Sequence, residues 1–330
     1  MNILLVERLL PEAQEWLGAR HNVECRPELA ADLSALRKAL YNAQALVLPR
    51  KVVVTRDLLD FAPVLRAVAR LHAGTDNTDL EACRDRGVRV IQAGSANVRS
   101  NAEYLLTGLL LLYRRGIAAA LAGDRHAEPR LGRELHGSTV GIVGLAPAAH
   151  ALALMLGSLG VKLVGYDPAV HRNAPLWQSL GIQPLSLPEV LAQADAVSLQ
   201  VMYASRYQGF FNDRVLAHCR PGQLWVGISR SELFDAQALA AALTDGRIEA
   251  CMLDGADAGF AARGTPLHEL RNLVLTPRLG SHTREARQRA SWYVAHRLHD
   301  TLALGAGAFD VSGVEETADF FDSQRAGLSR

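Results

Sequence analysis

The stretch Gly141-Ile-Val-Gly-Leu-Ala-Pro-Ala-Ala-His150, followed by Gly165-Tyr-Asp-Pro168, restricts the fold more than any other part of the chain. Thr139–Val143 reads as a buried strand, Gly144 as a tight turn, Ala148–Leu159 as an apolar helix, and Lys162–Tyr166 as the next strand. Strand, turn, helix, strand and acid in that order form the βαβ unit that holds a dinucleotide. Its turn and helix N-terminus take the pyrophosphate, and its acid takes a ribose. The turn departs from its own pattern: the three positions of G-x-G-x-x-G hold Gly144, Ala146 and Ala149.

Each departure has a physical meaning. Gly144 keeps the bend, and Ala149 adds one methyl group where helix packs on strand. Ala146 points a Cβ at the place where a phosphate comes closest. Pro147 has no N–H to offer an anion, although it suits a first helical turn. Two readings stay open. The turn seats a pyrophosphate on Gly144, Ala146, Pro147 and Ala148, or it keeps only its structural job. Asp167, followed by Pro168, ends the second strand. A carboxylate there accepts two ribose hydrogen bonds and repels a 2′-phosphate, so NAD is the expected cofactor; Arg172 nearby works against that preference.

A length of 330 residues allows two domains, each with its own core. A net charge of +1 gives no general attraction to nucleic acid or to an anionic membrane, so neither is an expected partner. Cys25, Cys83, Cys219 and Cys251 are far apart and form no C-x-x-C pair, which favours buried free thiols over disulfides or a metal site. Met1 to Val6 begins a strand rather than a signal peptide, and the apolar run Leu105–Tyr113 is too short to span a bilayer. A cytoplasmic protein is expected.

Strands alternate with helices along the chain. Strands are expected at Asn2–Val6, Ala45–Leu48, Arg66–Leu71 and Val88–Ile91, with helices at Leu10–Leu17, Leu33–Tyr41 and Leu80–Arg86. After Lys162–Tyr166, further strands are expected at Ala196–Leu199, Leu224–Ile228, Glu249–Leu253 and Leu273–Leu275. Helices are expected between them at Pro188–Ala194, Asn212–Ala217, Asp235–Asp245 and Pro266–Leu270. This is the pattern of an α/β protein with two doubly wound parallel sheets. The helix from Asn101 to about Arg115 is too apolar for water and is expected to be buried between domains or in a homodimer interface. A long helix from Thr283 to about Leu304 returns the chain to the first domain. The stretch from Gly305 reads as a loose tail or an arm packed on a partner subunit.

Further motifs stand in a fixed order: Ala73-Gly-Thr-Asp-Asn-Thr-Asp79, Asn101-Ala-Glu103, Gly137-Ser-Thr-Val-Gly-Ile-Val-Gly144, Tyr166-Asp-Pro168 and Arg220-Pro-Gly222. Then come Ile228-Ser-Arg230 with Asp235 and Ala238-Leu239, Leu253-Asp254, and Asn272-Leu-Val-Leu-Thr-Pro277. On these motifs, over about residues 45 to 300, the chain resembles the D-isomer-specific 2-hydroxyacid dehydrogenases. The resemblance implies a Rossmann NAD-binding domain, about 99–285, inserted into a flavodoxin-like substrate domain of 1–98 and 286–330, with the active site in the cleft between them.

It also implies roles for particular residues. Arg230 matches the family's substrate-binding arginine, which grips a 2-oxo-acid carboxylate through two parallel hydrogen bonds. Ser231 follows it where the family prefers glycine. The family's proton-transferring histidine follows Thr-Pro, and that position is Arg278; the glutamate that tunes the histidine is Gly259. An arginine keeps its proton, so it is a poor acid at neutral pH. His282 with Asp257 is a candidate displaced pair, against His282 as a helix-start residue and Asp257 as an exposed loop acid. Val201, Met202, Ile228, Ser229, Asp254 and Gly280 fall on cofactor-side positions, in a segment where Gln200, Met202 and Ala204 replace the family's histidine, proline and threonine. Arg50 and Lys51 occupy the substrate loop and either meet an acidic substrate or are solvated. His72-Ala73-Gly74 is expected to offer N–H groups to a carboxylate. Two functions follow: an NAD-dependent oxidoreductase of a small anionic 2-oxo or 2-hydroxy acid with an altered acid–base site, or a catalytically silent NAD- or anion-binding sensor or scaffold.

Overall fold

The computed structural model describes residues 1–72, 74, 77–115 and 131–303. The expectation for Ala73, part of the loop before Leu135, and the stretch from Gly305 lie outside the described residues. The chain divides into two compact units, Met1–Asn97 with the chain from Thr283, and Val98–His282.

In the first unit, β1 (Asn2–Leu5), β2 (Asn22–Cys25), β3 (Ala45–Val47), β4 (Ala67–Arg70) and β5 (Arg89–Gln92) form one parallel sheet in the order β2-β1-β3-β4-β5. That order is flavodoxin-like. Helices cover both faces, so the inner strands are largely apolar, with the buried Arg70 at the end of β4 an exception. The two-residue period of β1 sends Leu4 and Val6 into one core with Leu36, Leu46 and Val68. Ile3 and Leu5 enter the other, with Val47, Val294 and Leu298, the last two from the helix Arg284–Ala303. Strand β2 is absent from the sequence expectations. It is a short edge strand, Asn-Val-Glu-Cys, whose residues are only half-buried or exposed, so it carries no apolar run.

In the second unit, β6 (Thr139–Val143), β7 (Lys162–Tyr166), β8 (Gln183–Pro184), β9 (Ala196–Leu199), β10 (Gln223–Gly227), β11 (Ile248–Asp254) and β12 (Leu273–Thr276) follow in sequence. Every pairing is parallel, in the order β12-β11-β10-β9-β6-β7-β8. The strand order reverses between β6 and β9, and in such sheets the ligand crevice lies there, outside the carboxyl ends. Two doubly wound α/β sheets are therefore present.

Pro266–Leu270 corrects a sequence expectation. It forms successive turns, with His268 N–H donating to the Thr265 carbonyl and Leu270 N–H to that of Leu267. Its N–H groups close turns onto carbonyls three residues back and not four, so no α-helical ladder forms, and the Leu267 side chain is buried. The apolar helix Val98–Tyr113 packs inside its own unit rather than needing a second one for most of its cover. A Cβ on Gly108 would lie 2.5 Å from Val226 Cγ2 of β10, so glycine sets how closely helix and sheet approach. Leu110, 43% exposed, is left outside that core. Cys83, Cys219 and Cys251 are buried and Cys25 half-buried, all as free thiols. Burial pushes the Cys219 thiol up to about 12. Among the described residues no helix is long and apolar enough to cross a membrane.

Candidate functional site

The carboxyl ends of β6, β7 and β9 meet at the reversal point of the second sheet. Gly144, at φ +94°, closes the turn after β6, and a Cβ there would fall 2.5 Å from Val201 N and 2.6 Å from the Gln200 carbonyl carbon. The turn is pressed against the backbone that leaves β9, so this glycine is required. Ala146 is the N-cap of the helix Pro147–Ser158 and supplies no capping side chain, and Pro147 opens the helix. Ala149 N–H already donates to the Ala146 carbonyl at 2.7 Å. With no N–H on Pro147, Ala148 remains the first-turn donor nearest the bend.

Asp167 ties β7 to this turn. Its Oδ2 accepts from Leu145 N–H at 2.6 Å, and its Oδ1 from Ala169 and Val170 N–H at 2.7 and 3.2 Å. It also lines, with Tyr166, His171, Arg172 and Trp177, a cavity of about 270 Å³. Pro168 is half-buried beside it. At the end of β9, buried Val201 accepts from the Ser229 hydroxyl at 2.9 Å, which pins β9 to β10, while the Met202 side chain is 74% exposed. Ile228 is half-buried between them.

A second cluster sits where β10, β11 and β12 end side by side. Arg230 Nη1 donates to Glu232 Oε1 at 3.2 Å, and its guanidinium lies 5.2 Å from the centre of the Tyr203 ring. The buried Ser231 hydroxyl donates to Asp257 Oδ2 at 2.8 Å and accepts from Asp257 N–H at 3.2 Å. Burial pushes the Asp257 carboxyl up, but hydrogen bonds from Ser231 and Glu232 and the charges of Arg230 and Arg278 outweigh it and hold the group below its usual value. Arg278 has left-handed backbone at φ +57°, and its side chain passes over Gly255, where a Cβ would meet its Cγ at 2.5 Å. Gly259 is exposed and faces open space.

His282 and Asp257 do not form the pair considered from sequence. Asp257 is engaged by Ser231, and the exposed His282 imidazole has no partner among the described residues; the main-chain N–H of His282 closes a turn onto the Leu279 carbonyl. Asp254 has a structural task of its own. Its Oδ1 accepts from the Thr276 hydroxyl and from Leu279 N–H, each at 2.6 Å, and its Oδ2 from Gly280 N–H at 2.8 Å. Tyr104 Oη bonds Thr276 Oγ1 at 2.6 Å, and Ser100 donates to the Gly280 carbonyl. This network fixes the turn that carries Arg278. Burial pushes the Tyr104 phenol up to about 12, so it stays neutral. Sequence reasoning missed Glu232, Tyr203 and Tyr104. The available signal was the acid two residues after Arg230; nothing local marked the two tyrosines.

In the first unit, Arg50 and Lys51 follow β3, half-buried and exposed respectively. Arg70, fully buried, organises that loop. Its Nε donates to Thr78 Oγ1 at 3.0 Å, Nη1 to the Pro49 carbonyl at 3.1 Å, and Nη2 to the Val52 and Asn77 carbonyls at 3.0 and 2.8 Å. Asn77 Nδ2 donates to the Arg50 carbonyl at 2.6 Å. Gly74 is at φ +107°, and its carbonyl accepts from Gln92 Nε2 at 2.8 Å. Glu7, after β1, is at the reversal point of this sheet. Burial pushes its carboxyl up to about 7 against the pull of Arg287 and Arg70, and its covered Oε2 makes no hydrogen bond.

A Gly144 turn at the reversal point and an acid at the end of the next strand define a dinucleotide-binding α/β protein. Residues 108–280 match the NAD binding domain of the D-isomer specific 2-hydroxyacid dehydrogenases. The chain is 37% identical over 336 residues to D-3-phosphoglycerate dehydrogenase of Mycobacterium tuberculosis, across 98% of this chain and 62% of that protein. It therefore spans less than two thirds of that relative's length. It is 32% identical over 281 residues to (S)-sulfolactate dehydrogenase of Chromohalobacter salexigens, across 84% of this chain and 91% of that one. The crystal structure of the TT0316 protein from Thermus thermophilus superimposes with a TM-score of 0.79 at 29% identity, over 92% of this chain and 97% of that one. The chain belongs to the D-isomer specific 2-hydroxyacid dehydrogenase family and carries its NAD binding domain.

Proposed function

We propose that the protein is an NAD-dependent oxidoreductase of a small anionic acid, 2-oxo or 2-hydroxy acid-like, whose acid–base step is altered. The observation that carries this reading is the cluster at the ends of β10 to β12. The Arg230 guanidinium is held there by Glu232 and over the Tyr203 ring, and Arg278 and Gly259 stand where the family's histidine and glutamate belong. NAD fits the Val98–His282 unit. Gly144 lets the turn after β6 lie close against the backbone that leaves β9, and Asp167 at the end of β7 borders a cavity. Ala146, Pro147 and Ala148 would lie along the pyrophosphate, with Val201, Met202, Ile228 and Ser229 on the nicotinamide side. Asp254 and Gly280 would shape that side through the turn they hold. When bound, the cofactor supplies hydride exchange. Arg230 anchors and polarises the acid, and Arg278 offsets negative charge that develops on its oxygen. Arg50, Lys51 and Gly74 are the first unit's candidates for the acid.

The expected phenotype is binding with slow turnover. Unmodified protein with saturating NADH and pyruvate, glyoxylate or hydroxypyruvate is expected to fall about 10²- to 10⁴-fold below a well-placed acid–base site. Brisk reduction of any of the three would sink this reading. A second reading, a silent NAD- or anion-binding sensor or scaffold, is favoured by one observation: the Asp167 oxygens already accept three main-chain N–H groups. Absence of turnover with every acid, together with retained NADH binding, would select it.

The working form in this reading is a cytoplasmic homodimer. The free thiols suit a reducing compartment. Leu110 and Leu154, 43% and 58% exposed, sit on the helices Val98–Tyr113 and Pro147–Ser158, which pack on each other. Sedimentation at micromolar concentration is expected to give a dimer, and a stable monomer would remove this part of the account.

A further inference from the structure

Two carboxylates stand beside the guanidinium that would anchor a substrate carboxylate. Glu232 Oε1 is 3.2 Å from Arg230 Nη1. Asp257 Oδ2 is 2.8 Å from the Ser231 hydroxyl, which also approaches Glu232 Oε2 at 3.5 Å. Ser231, only 2% exposed, is a fixed point between the two acids. Arg278 adds its charge to the surroundings of Asp257. Among the described residues, each guanidinium of this cluster faces a carboxyl group: Arg230 faces Glu232, and Arg278 lies in the surroundings of Asp257. An acid that carries only a carboxylate would meet Glu232 as a competitor for Arg230 and as a like charge beside it. An acid with a cationic nitrogen next to its carboxylate gives every group a partner.

The missing proton donor points the same way. Reduction of a carbonyl needs a proton on the oxygen, and the family's histidine–glutamate pair is replaced by Arg278 and Gly259, while His282 has no carboxylate partner among the described residues. A protonated imine already carries its proton.

We propose that this site accepts a 2-imino acid, and in the reverse direction a 2-amino acid, with Glu232 and Asp257 as the residues that select the nitrogen. The inference rests on the oxidoreductase reading above. A dihydronicotinamide, when bound, would supply the hydride with its electron pair to the imine carbon. The C=N π pair would then move to nitrogen and leave a neutral amine, which would take its last proton from water. Arg230 holds the carboxylate, with its guanidinium steadied on Tyr203. Arg278 alone would repel an iminium, and Asp257 offsets that charge.

Binding is the first readout. In the presence of NAD⁺, glycine is titrated against glycolate, and each hand of alanine against lactate, by calorimetry. The amino acid of at least one pair is expected to bind about 10-fold tighter or more. Glu232→Gln is expected to erase that preference. The second readout is NADH oxidation with glyoxylate, which is expected to depend on added ammonium. Equal binding within every pair, or slow glyoxylate reduction at the same rate without ammonium, overturns the inference and leaves the oxidoreductase reading standing; brisk reduction without ammonium overturns both. Failure of NADH to bind overturns both.

Discussion

Changing Gly259 to Glu and Arg278 to His together is expected to raise turnover of at least one 2-oxo acid by about 10²- to 10⁴-fold, the usual worth of a positioned acid–base group. Arginine holds its proton with a pKa above ~12, so it cannot deliver one at neutral pH, whereas a histidine with a carboxylate partner can. The local structure accepts both changes. A side chain at Gly259 meets nothing within 4 Å of its first carbon. Position 278 has left-handed backbone at φ +57°, a region that histidine visits more readily than most residues. Neither single change is expected to match the pair, because the glutamate serves by orienting and tuning the imidazole. The check is steady-state NADH oxidation by the unmodified protein, the two single variants and the double variant. A double variant that binds NADH yet reduces no 2-oxo acid faster than the unmodified protein would contradict this assignment.

Glu7→Gln is expected to stabilise the first unit at alkaline pH. Burial pushes the Glu7 carboxyl up from 4.5 to about 7, despite Arg287 and Arg70. The folded state therefore holds this proton more tightly than the unfolded state does. Stability from this group is fully present below pH about 4.5, declines as pH rises, and is lost once pH passes about 7. The shift corresponds to about 3 kcal/mol at pH 8, as an order of magnitude. Glutamine imitates the neutral acid and has no such slope. Urea unfolding at pH 5 and pH 8 checks this: the unmodified protein should lose stability between the two, and the variant should lose markedly less. An identical pH dependence in both would show that Glu7 is not the group responsible.

The interior strands of both sheets were legible because parallel strands covered on both faces are largely apolar. Thr139–Val143, Lys162–Tyr166 and Ala196–Leu199 occupy the spans their apolar runs mark. Edge strands escape that logic, and β2 and the two-residue β8 carry no comparable run. The sequence pattern places Asp235 and Asn212 inside their helices, and the structure makes them the caps that start those helices. In the site, the glycine turn and the acid after β7 follow from chain order alone. The link from Tyr104 to Thr276 joins residues 172 positions apart, and only the folded sheet brings them together. Glu232 is harder still: in sequence it is an acid in a turn, and its meaning comes from Arg230, Ser231 and Asp257 converging at neighbouring strand ends.

The central claim is that a worn dinucleotide turn still seats NAD. Titrating NADH while following energy transfer from Trp177 and Trp225 to the dihydronicotinamide tests it most directly. The account predicts saturable transfer with weak affinity, no comparable transfer with NADPH because Asp167 repels a 2′-phosphate, and tighter NADH binding by Ala146→Gly. No transfer and no thermal shift with either dinucleotide, in the unmodified protein and in the glycine variant alike, would contradict it.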